Sequence, residues 1–174
     1  YVTKVPENTK ELLASCPELV KNFNLKYCWA MNEGEPFWLV PWIGAFGGWP
    51  IDNRTPTLDT PAVVKALDFI LDVKFNKKYI PLECDYNCLD TLFKEGKTAF
   101  SINGDWTLST YKDHFGDKLG VAKIPMLSET SSWPTPMVSG KYFMLSSRLK
   151  GEKLELIKRF ITFYTSKENQ IAQI

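Results

Sequence analysis

The chain has 174 residues, of which 44% are hydrophobic and 24% are charged, a composition typical of one ordinary globular domain with a real core. Its 21 basic and 20 acidic residues give a formal net charge of +1 and form no basic block, which argues against nucleic acid as a partner. No run of about 18 apolar residues occurs, so we expect no membrane-spanning segment.

The first part of the chain is predicted to form a helix and then a strand. Pro6 precedes Asn8 and Thr9, either of which can cap a helix, and Pro17 is expected to kink or break that helix. Residues 25–29 are rich in β-prone side chains and predict a strand.

An apolar segment over residues 35–48 is predicted to be a buried, bent helix. Pro36 suits the first turn of a helix, Pro41 is expected to introduce a kink, and Gly47 is expected to end the helix. Residues 49–60 contain turn-forming side chains and predict a surface loop or a short hairpin.

Two further helices and a strand are predicted before residue 103. The first helix starts at Thr60–Pro61 and ends near residues 76–78, where cations suit the helix dipole. The second covers residues 88–95, with Asp85 or Asn87 as its cap, and ends at Gly96. The apolar residues 98–102 then predict a strand.

The turn after that strand is the stretch from which a binding site is predicted. The strand stops at Asn103–Gly104, a strong turn signal, and Asp105 begins a short helical segment. A strand that turns into a helix places the next side chain, here Trp106, at the rim of the sheet. Because ligands of open α/β sheets bind at the carboxyl ends of the strands, we predict that Trp106 forms one wall of a small-molecule site.

The C-terminal part is predicted to contain two strands and two helices. The apolar spacing predicts a strand over residues 118–125, a strand region over 137–147 and an amphipathic helix over 152–164, and Ser166 is expected to cap a last helix. Because strands alternate with helices, the predicted fold class is α/β, with a mixed α+β arrangement as the alternative.

The four cysteines are compatible with two disulfides or with none. Cys84 and Cys88 do not have the C-x-x-C redox spacing, and the single histidine, His114, leaves no second pair of ligands for zinc. A local disulfide in an exported protein and two free thiols both remain open. We predict no metal, no cofactor and no catalytic residue, and we expect His114 to be a surface residue.

Several motifs occur together in an order that one known family shares. They are Glu35–Trp38 followed by Pro41 and Gly47–Gly48, then residues 61–67, 93–100 and 102–106. On these motifs the chain resembles the extracellular solute-binding proteins of sugar-uptake ABC transporters, the maltose/maltodextrin-binding group in particular. The resemblance implies a periplasmic-binding-protein-like fold whose two lobes close on a ligand. It also implies that residues 1–174 form a single lobe, with the first lobe and C-terminal helices outside this chain.

The resemblance also implies where a sugar would bind. At the start of one helix a carboxylate would bind sugar hydroxyls and an aromatic ring would stack on the sugar, and Trp106 would stack on a second ring face. The implied ligand-binding residues are Glu35, Pro36, Phe37, Asn103, Asp105 and Trp106. Phe37 stands where the family often has tyrosine and Asp105 where proline is common, so the identity of the sugar stays open.

The function implied is that of the substrate-binding component of an ABC importer. Such a protein delivers a mono- or oligosaccharide to the transmembrane permease subunits and breaks no bond. The implied location is the periplasm or the cell surface, with any signal peptide outside this chain and the complete protein a monomer.

Two other functions remain open from the residues alone. A glycoside hydrolase could use Glu35 and Asp105 as its acid/base pair, although no nucleophile motif accompanies them. The same fold could instead bind a non-sugar solute such as a polyamine, whereas an anion is disfavoured because the three arginines lie away from the motifs. Trp133, in a polar loop, is a further candidate to reach the cleft.

Overall fold

The computed structural model describes residue 2 and residues 4–172, and it divides into two units between Met137 and Val138. Helices alternate with strands around a parallel strand pair, which confirms the predicted fold class. The assignment of residues 1–174 to a single lobe stays a prediction.

A parallel pair of strands organises the first unit. Strand β1 (Tyr27–Met31) pairs with β4 (Thr98–Ile102), and Met31 stands opposite Ile102 at the last position of the pair. Four of the five β1 residues are buried, as expected of a parallel strand covered on both faces. On the side away from β4, the carbonyl oxygen of Tyr79 accepts hydrogen bonds from two backbone N–H groups of β1.

Helices and short turns surround this pair. The α-helices of the first unit are α1 (Thr9–Asn22), α2 (Val40–Ala45), α3 (Pro61–Leu71), α4 (Tyr86–Lys94) and α5 (Leu108–Phe115). The shorter elements are the 3₁₀ turns Pro36–Trp38, Asp105–Thr107 and Gly116–Lys118, the π-helical turn Asp72–Asn76 that continues α3, and the hairpin of β2 (Ile51–Asp52) and β3 (Thr55–Pro56). The hairpin between residues 49 and 60 is thus confirmed.

Local side chains begin and end these helices where the sequence indicates. The Asn8 side chain accepts a hydrogen bond from the Glu11 N–H at 3.0 Å and caps α1. The Asp85 side chain accepts one from the Cys88 N–H at 2.8 Å and caps α4. Gly96, with a φ of 64°, takes the left-handed conformation that ends α4.

The core of the first unit lies between the strand pair and the helices packed on it. Trp29 and Trp42 are fully buried there. A disulfide joins Cys16 in α1 to Cys28 in β1, and both residues are fully buried. Of the alternatives that the sequence left open for these cysteines, the structure has the paired one.

Two local predictions are wrong, and one of two outcomes expected at Pro17 does not occur. No strand forms over residues 118–125 or 137–147 in the described part of the chain. A strand needs a partner that completes its hydrogen-bond ladder, and neither segment has such a neighbour among the described residues. Of the kink or break expected at Pro17, the break does not occur, because α1 is continuous around this residue. The buried side chain and disulfide of Cys16, directly before the proline, fasten this part of the helix to the core.

The second unit consists of residues 138–172 and contains two helices. Helix α6 (Gly151–Tyr164) and helix α7 (Lys167–Ile171) occur where they were predicted, and the Ser166 side chain caps α7. None of the described residues of this unit is buried. The sequence-predicted binding residues all belong to the first unit.

Candidate functional site

The candidate site lies where β1 and β4 leave the sheet side by side. Because the strands are parallel, residues 32–35 and residues 103–106 emerge at the same edge. Each of these two segments bends at an asparagine. The side-chain oxygen of Asn32 accepts a hydrogen bond from the Gly34 N–H at 3.0 Å, and that of Asn103 accepts one from the Gly104 N–H at 2.8 Å. The two bends lead into the 3₁₀ turns that carry the aromatic residues of the site.

Four aromatic side chains form a continuous wall at this edge. The rings of Phe37 and Trp38 meet edge to face with centroids 5.3 Å apart, and those of Trp38 and Trp106 with centroids 6.0 Å apart. The indole Nε1 of Trp106 donates a hydrogen bond of 3.2 Å to the Tyr86 hydroxyl. Trp38 is only 6% exposed, whereas Trp106 is 58% exposed. We call Phe37, Trp38, Trp106 and Tyr86 the aromatic wall; Trp38 anchors it and Trp106 presents its open ring.

The orientation of the Trp106 indole is fixed from two sides. Its ring carbons lie against Gly104 so closely that a Cβ added there would come within 2.2 Å of them. On the opposite side of the turn, the Thr107 hydroxyl donates to the Gly104 carbonyl oxygen at 2.8 Å and closes the backbone. The Tyr86 hydroxyl accepts a hydrogen bond from the indole nitrogen. The indole lies at the rim of the sheet, the position predicted for Trp106 from the sequence.

The other sequence-predicted residues lie around this wall. Glu35 is exposed at the start of the first 3₁₀ turn and its side chain makes no capping hydrogen bond; Pro36 follows it, also exposed. Phe37 is half-buried. Asp105 is exposed at the start of the second 3₁₀ turn. The structure therefore brings a carboxylate and an aromatic ring together at each of the two strand exits.

Asn103 has a different environment from the other predicted residues. Its side-chain amide donates to the Tyr111 hydroxyl at 3.0 Å, while its oxygen accepts from the Gly104 N–H. Both polar groups are thus engaged inside the protein, and Asn103 shapes the turn. These two hydrogen bonds use one of the two amide hydrogens and one of the two oxygen lone pairs of Asn103.

Two features of the site were missed by sequence reasoning. One is Tyr86, and the other is an ion pair between Glu33 and Lys74 whose side chains are only 10% and 16% exposed. Burial raises the pKa of the Glu33 carboxyl, and the hydrogen bond and charge of Lys74 partly oppose that rise. No local signal in the sequence could reveal either contact, because the partners are 20 and 41 residues apart.

The remaining candidates have ordinary surroundings. Trp133 is exposed, and the Nζ of Lys123 lies 5.4 Å from its ring centroid. His114 is exposed on α5, with its Nε2 3.0 Å from the Lys94 carbonyl oxygen. Among the described residues, no cluster of three or more histidine, cysteine, aspartate or glutamate side chains could bind a metal ion. In the same residues no helix is long and apolar enough to cross a membrane.

A cavity of about 630 Å³ lies beside β4, away from the exposed Trp106 ring. Its lining is mainly apolar and includes Phe93, Phe100 and Ile124, but none of Glu35, Phe37 and Trp106. The exposed aromatic and carboxylate groups therefore form an open wall and not the lining of this cavity.

Comparison with known proteins gives one family. A family model described as bacterial extracellular solute-binding protein matches residues 2–174. The maltotriose-binding protein of Pyrococcus abyssi is 28% identical over 169 residues, which are 92% of this chain and 36% of that protein. A maltooligosaccharide ABC transporter solute-binding lipoprotein of Streptococcus pneumoniae is 33% identical over 84 residues, 48% of this chain and 19% of that protein.

The fold also matches a solved structure. The maltose/maltodextrin-binding domain MalE from Bdellovibrio bacteriovorus, bound to maltotriose, has a TM-score of 0.79 and 36% sequence identity to this chain. The match covers 98% of this chain and 46% of the other. The chain thus spans less than half the length of the relatives that it matches.

Proposed function

The chain belongs to the family of bacterial extracellular solute-binding proteins, and from that membership we propose that it forms one wall of an oligosaccharide-binding cleft in an ABC importer. The resemblance found in the sequence motifs is thereby confirmed at the level of the family. Two relatives are named for binding maltotriose or maltooligosaccharide, and the solved neighbour is bound to maltotriose. Maltotriose or a similar malto-oligosaccharide is therefore the proposed ligand.

The observation that carries the proposal is the exposed, oriented indole of Trp106. An aromatic face binds the apolar C–H face of a pyranose ring by stacking, and a ring that is already oriented loses little conformational entropy on binding. Glu35 and Asp105, both exposed beside the aromatic wall, can accept hydrogen bonds from sugar hydroxyls. Stacking together with hydroxyl acceptors is the chemistry that a neutral, hydroxyl-rich ligand requires.

We further propose that a second lobe supplies the opposite wall. The aromatic wall is open and its residues do not line the cavity beside β4, and the chain spans only 36% and 46% of two relatives' lengths. Closure of two lobes would remove water from the sugar and strengthen each hydrogen bond to it. The closed, monomeric protein would then dock on the permease from the periplasm or the cell surface.

We propose that the protein binds the sugar without breaking any of its covalent bonds. The relatives reported above are named as binding proteins, and one of them is named as the solute-binding lipoprotein of an ABC transporter. A direct assay distinguishes binding from the competing function, which is a glycoside hydrolase that uses Glu35 and Asp105. Incubation of the whole protein with maltotriose should release no reducing sugar above the buffer control, and release that is lost in Glu35→Gln would establish the enzyme instead.

The Trp106 ring provides the main test. In the whole protein that carries this chain, Trp106→Ala should weaken maltotriose binding by at least about 30-fold, the loss typical of a central aromatic contact. Trp49→Ala is the matched control, because Trp49 is also an exposed tryptophan of the first unit and should leave the affinity unchanged. Isothermal titration calorimetry measures both, and equal affinities for wild type and Trp106→Ala would overturn the proposal.

A further inference from the structure

A second disulfide, between Cys84 and Cys88, closes a short loop at the edge of the site. The Asp85 side chain accepts a hydrogen bond from the Cys88 N–H inside the loop, so the loop is fixed by a covalent bond and by a helix cap. Tyr86 is the first residue of α4 and belongs to the same loop. Its backbone position is therefore set by both constraints.

This loop contacts both strand exits. The carbonyl oxygen of Cys84 accepts a hydrogen bond of 2.7 Å from the backbone N–H of Glu33, directly after β1. The hydroxyl of Tyr86 accepts the hydrogen bond from the Nε1 of Trp106, directly after β4. The loop thus joins the two segments that carry the predicted sugar contacts.

The Tyr86 contact decides how the indole is oriented. The ring N–H is the only polar group of a tryptophan side chain, so a hydrogen bond to it fixes the rotation of the ring about its bond to the backbone. Gly104 on the other side allows the ring to lie against the turn without collision. The exposed face of the indole is the face that these two contacts leave uncovered.

We propose that the disulfide-closed loop of residues 84–88 is a positioning element for sugar binding, in which Tyr86 sets the plane of the Trp106 ring. This inference rests on the proposed function, since the oriented ring is the one assigned to stacking. The loop gives the protein a rigid stacking plane before the sugar arrives. The plane of the indole in turn fixes the plane of the sugar ring that it can accept.

The contact of the loop with the indole can be measured without sugar. In ¹H–¹⁵N correlation spectra of the whole protein, the Trp106 indole N–H signal is identified by its loss in Trp106→Phe. Tyr86→Phe retains the ring and removes the hydrogen-bond acceptor, so that signal should shift. The Cys84→Ser/Cys88→Ser double variant should shift it too. Tyr27→Phe, a hydroxyl deletion at the opposite end of β1 from the site, should leave it in place.

Affinity for maltotriose is the second measurement. Tyr86→Phe should weaken binding about threefold to tenfold, the range of one lost hydrogen bond. In a Trp106→Phe background the same change should have no effect, because Tyr86 acts through the indole nitrogen. A loss of the same size in both backgrounds would mean that Tyr86 contacts the sugar itself, and it would overturn the positioning role.

The two measurements separate the inference from the function on which it rests. If the Trp106 signal shifts in Tyr86→Phe while wild type binds no maltotriose, the proposed function fails and the loop's control of the indole stands. If the signal does not move in Tyr86→Phe, the positioning role is wrong whatever the protein binds. Tyr86→Phe alone decides this even where the double cysteine variant does not fold.

Discussion

The two disulfides lie in different kinds of place. Cys16 and Cys28 are fully buried and join α1 to the central strand β1 inside the core. At the site edge, Cys84 is buried in a small cluster with Ala30 and Leu89 while Cys88 is half-buried, and their disulfide closes the loop that contacts the Trp106 ring through Tyr86. Separate disulfides therefore hold the fold and the binding surface. We expect stability and affinity to respond to different substitutions.

The lengths of the two closed loops support this division. The cysteines of the core disulfide are 12 residues apart and those of the site disulfide are 4 apart. In the chain-entropy account, the longer loop restricts the unfolded chain more and contributes about 3 kcal/mol, against about 2 kcal/mol for the shorter one. The core disulfide also fills space among buried side chains, which increases the difference.

The largest expected effect on stability comes from removing the core disulfide. Cys16→Ala/Cys28→Ala should lower the free energy of unfolding by about 3 kcal/mol, because the unfolded chain regains its loop freedom and no new polar group is buried. Urea titration followed by tryptophan fluorescence measures the loss. Maltotriose affinity, measured where the variant is fully folded, should equal that of the wild type.

The matched variant is Cys84→Ala/Cys88→Ala. It should lose less free energy of unfolding than the core variant and should lower maltotriose affinity instead. Loss of affinity in the folded core variant would contradict this division of roles between the two disulfides. A lower free energy of unfolding in the site variant than in the core variant would contradict it too.

Local structure was predictable from the sequence because its determinants are local. Asn8 and Asp85 cap helices three residues from the N–H groups that they bind, and Gly96 ends a helix by its own conformation. The strand predicted over residues 118–125 was wrong for the opposite reason. Alternation describes the two faces of a strand, but the ladder that makes it a strand depends on a partner elsewhere in the chain.

In the candidate site too, the locally determined feature was predictable from the sequence and the long-range contacts were not. The exposed position of Trp106 follows from the turn at residues 103–104, which is visible in the sequence. The contacts that orient the ring are not visible there, because Tyr86 and Glu33 reach the site only after α4 and β1 have packed. Pairing of the cysteines was left open for the same reason, since spacing alone does not show which thiols meet.

A smaller effect is expected from Gly104→Ala, which tests the other contact of the indole. The added methyl carbon would come within 2.2 Å of the Trp106 ring, so the ring must move away. Gly104 has a φ of −84°, a value that alanine adopts without strain, so the free energy of unfolding should change little. Maltotriose affinity should fall about tenfold, a typical cost of repacking one contact.

Gly120→Ala is the control for that experiment. A Cβ at Gly120 would meet no atom within 4 Å, so neither stability nor affinity should change appreciably. Calorimetric titration with maltotriose and thermal unfolding measure both properties for each variant. Wild-type affinity in Gly104→Ala would show that the position of the indole against the turn does not matter for binding.

The smallest expected effect concerns Glu33, which contacts both the loop of residues 84–88 and the segment after α3. Its N–H donates to Cys84 of the site loop, while its carboxylate pairs with Lys74 after α3. Burial raises the pKa of this carboxyl, so the folded protein binds its proton more strongly than the unfolded chain does. The free energy of unfolding that Glu33 contributes is therefore greatest below its ordinary pKa and falls as pH rises through the raised value.

Urea titrations between about pH 4 and pH 7 can isolate this contribution. Wild type should lose free energy of unfolding relative to Glu33→Gln as the pH rises. The cost of leaving Lys74 without its partner is the same at each pH in this range and does not change the slope. Lys74→Gln should steepen the fall, since the hydrogen bond and charge that oppose the effect of burial are then absent. A difference between wild type and Glu33→Gln that stays constant with pH would show that the pKa of Glu33 is the same in the folded protein and the unfolded chain, and it would contradict the rise on burial.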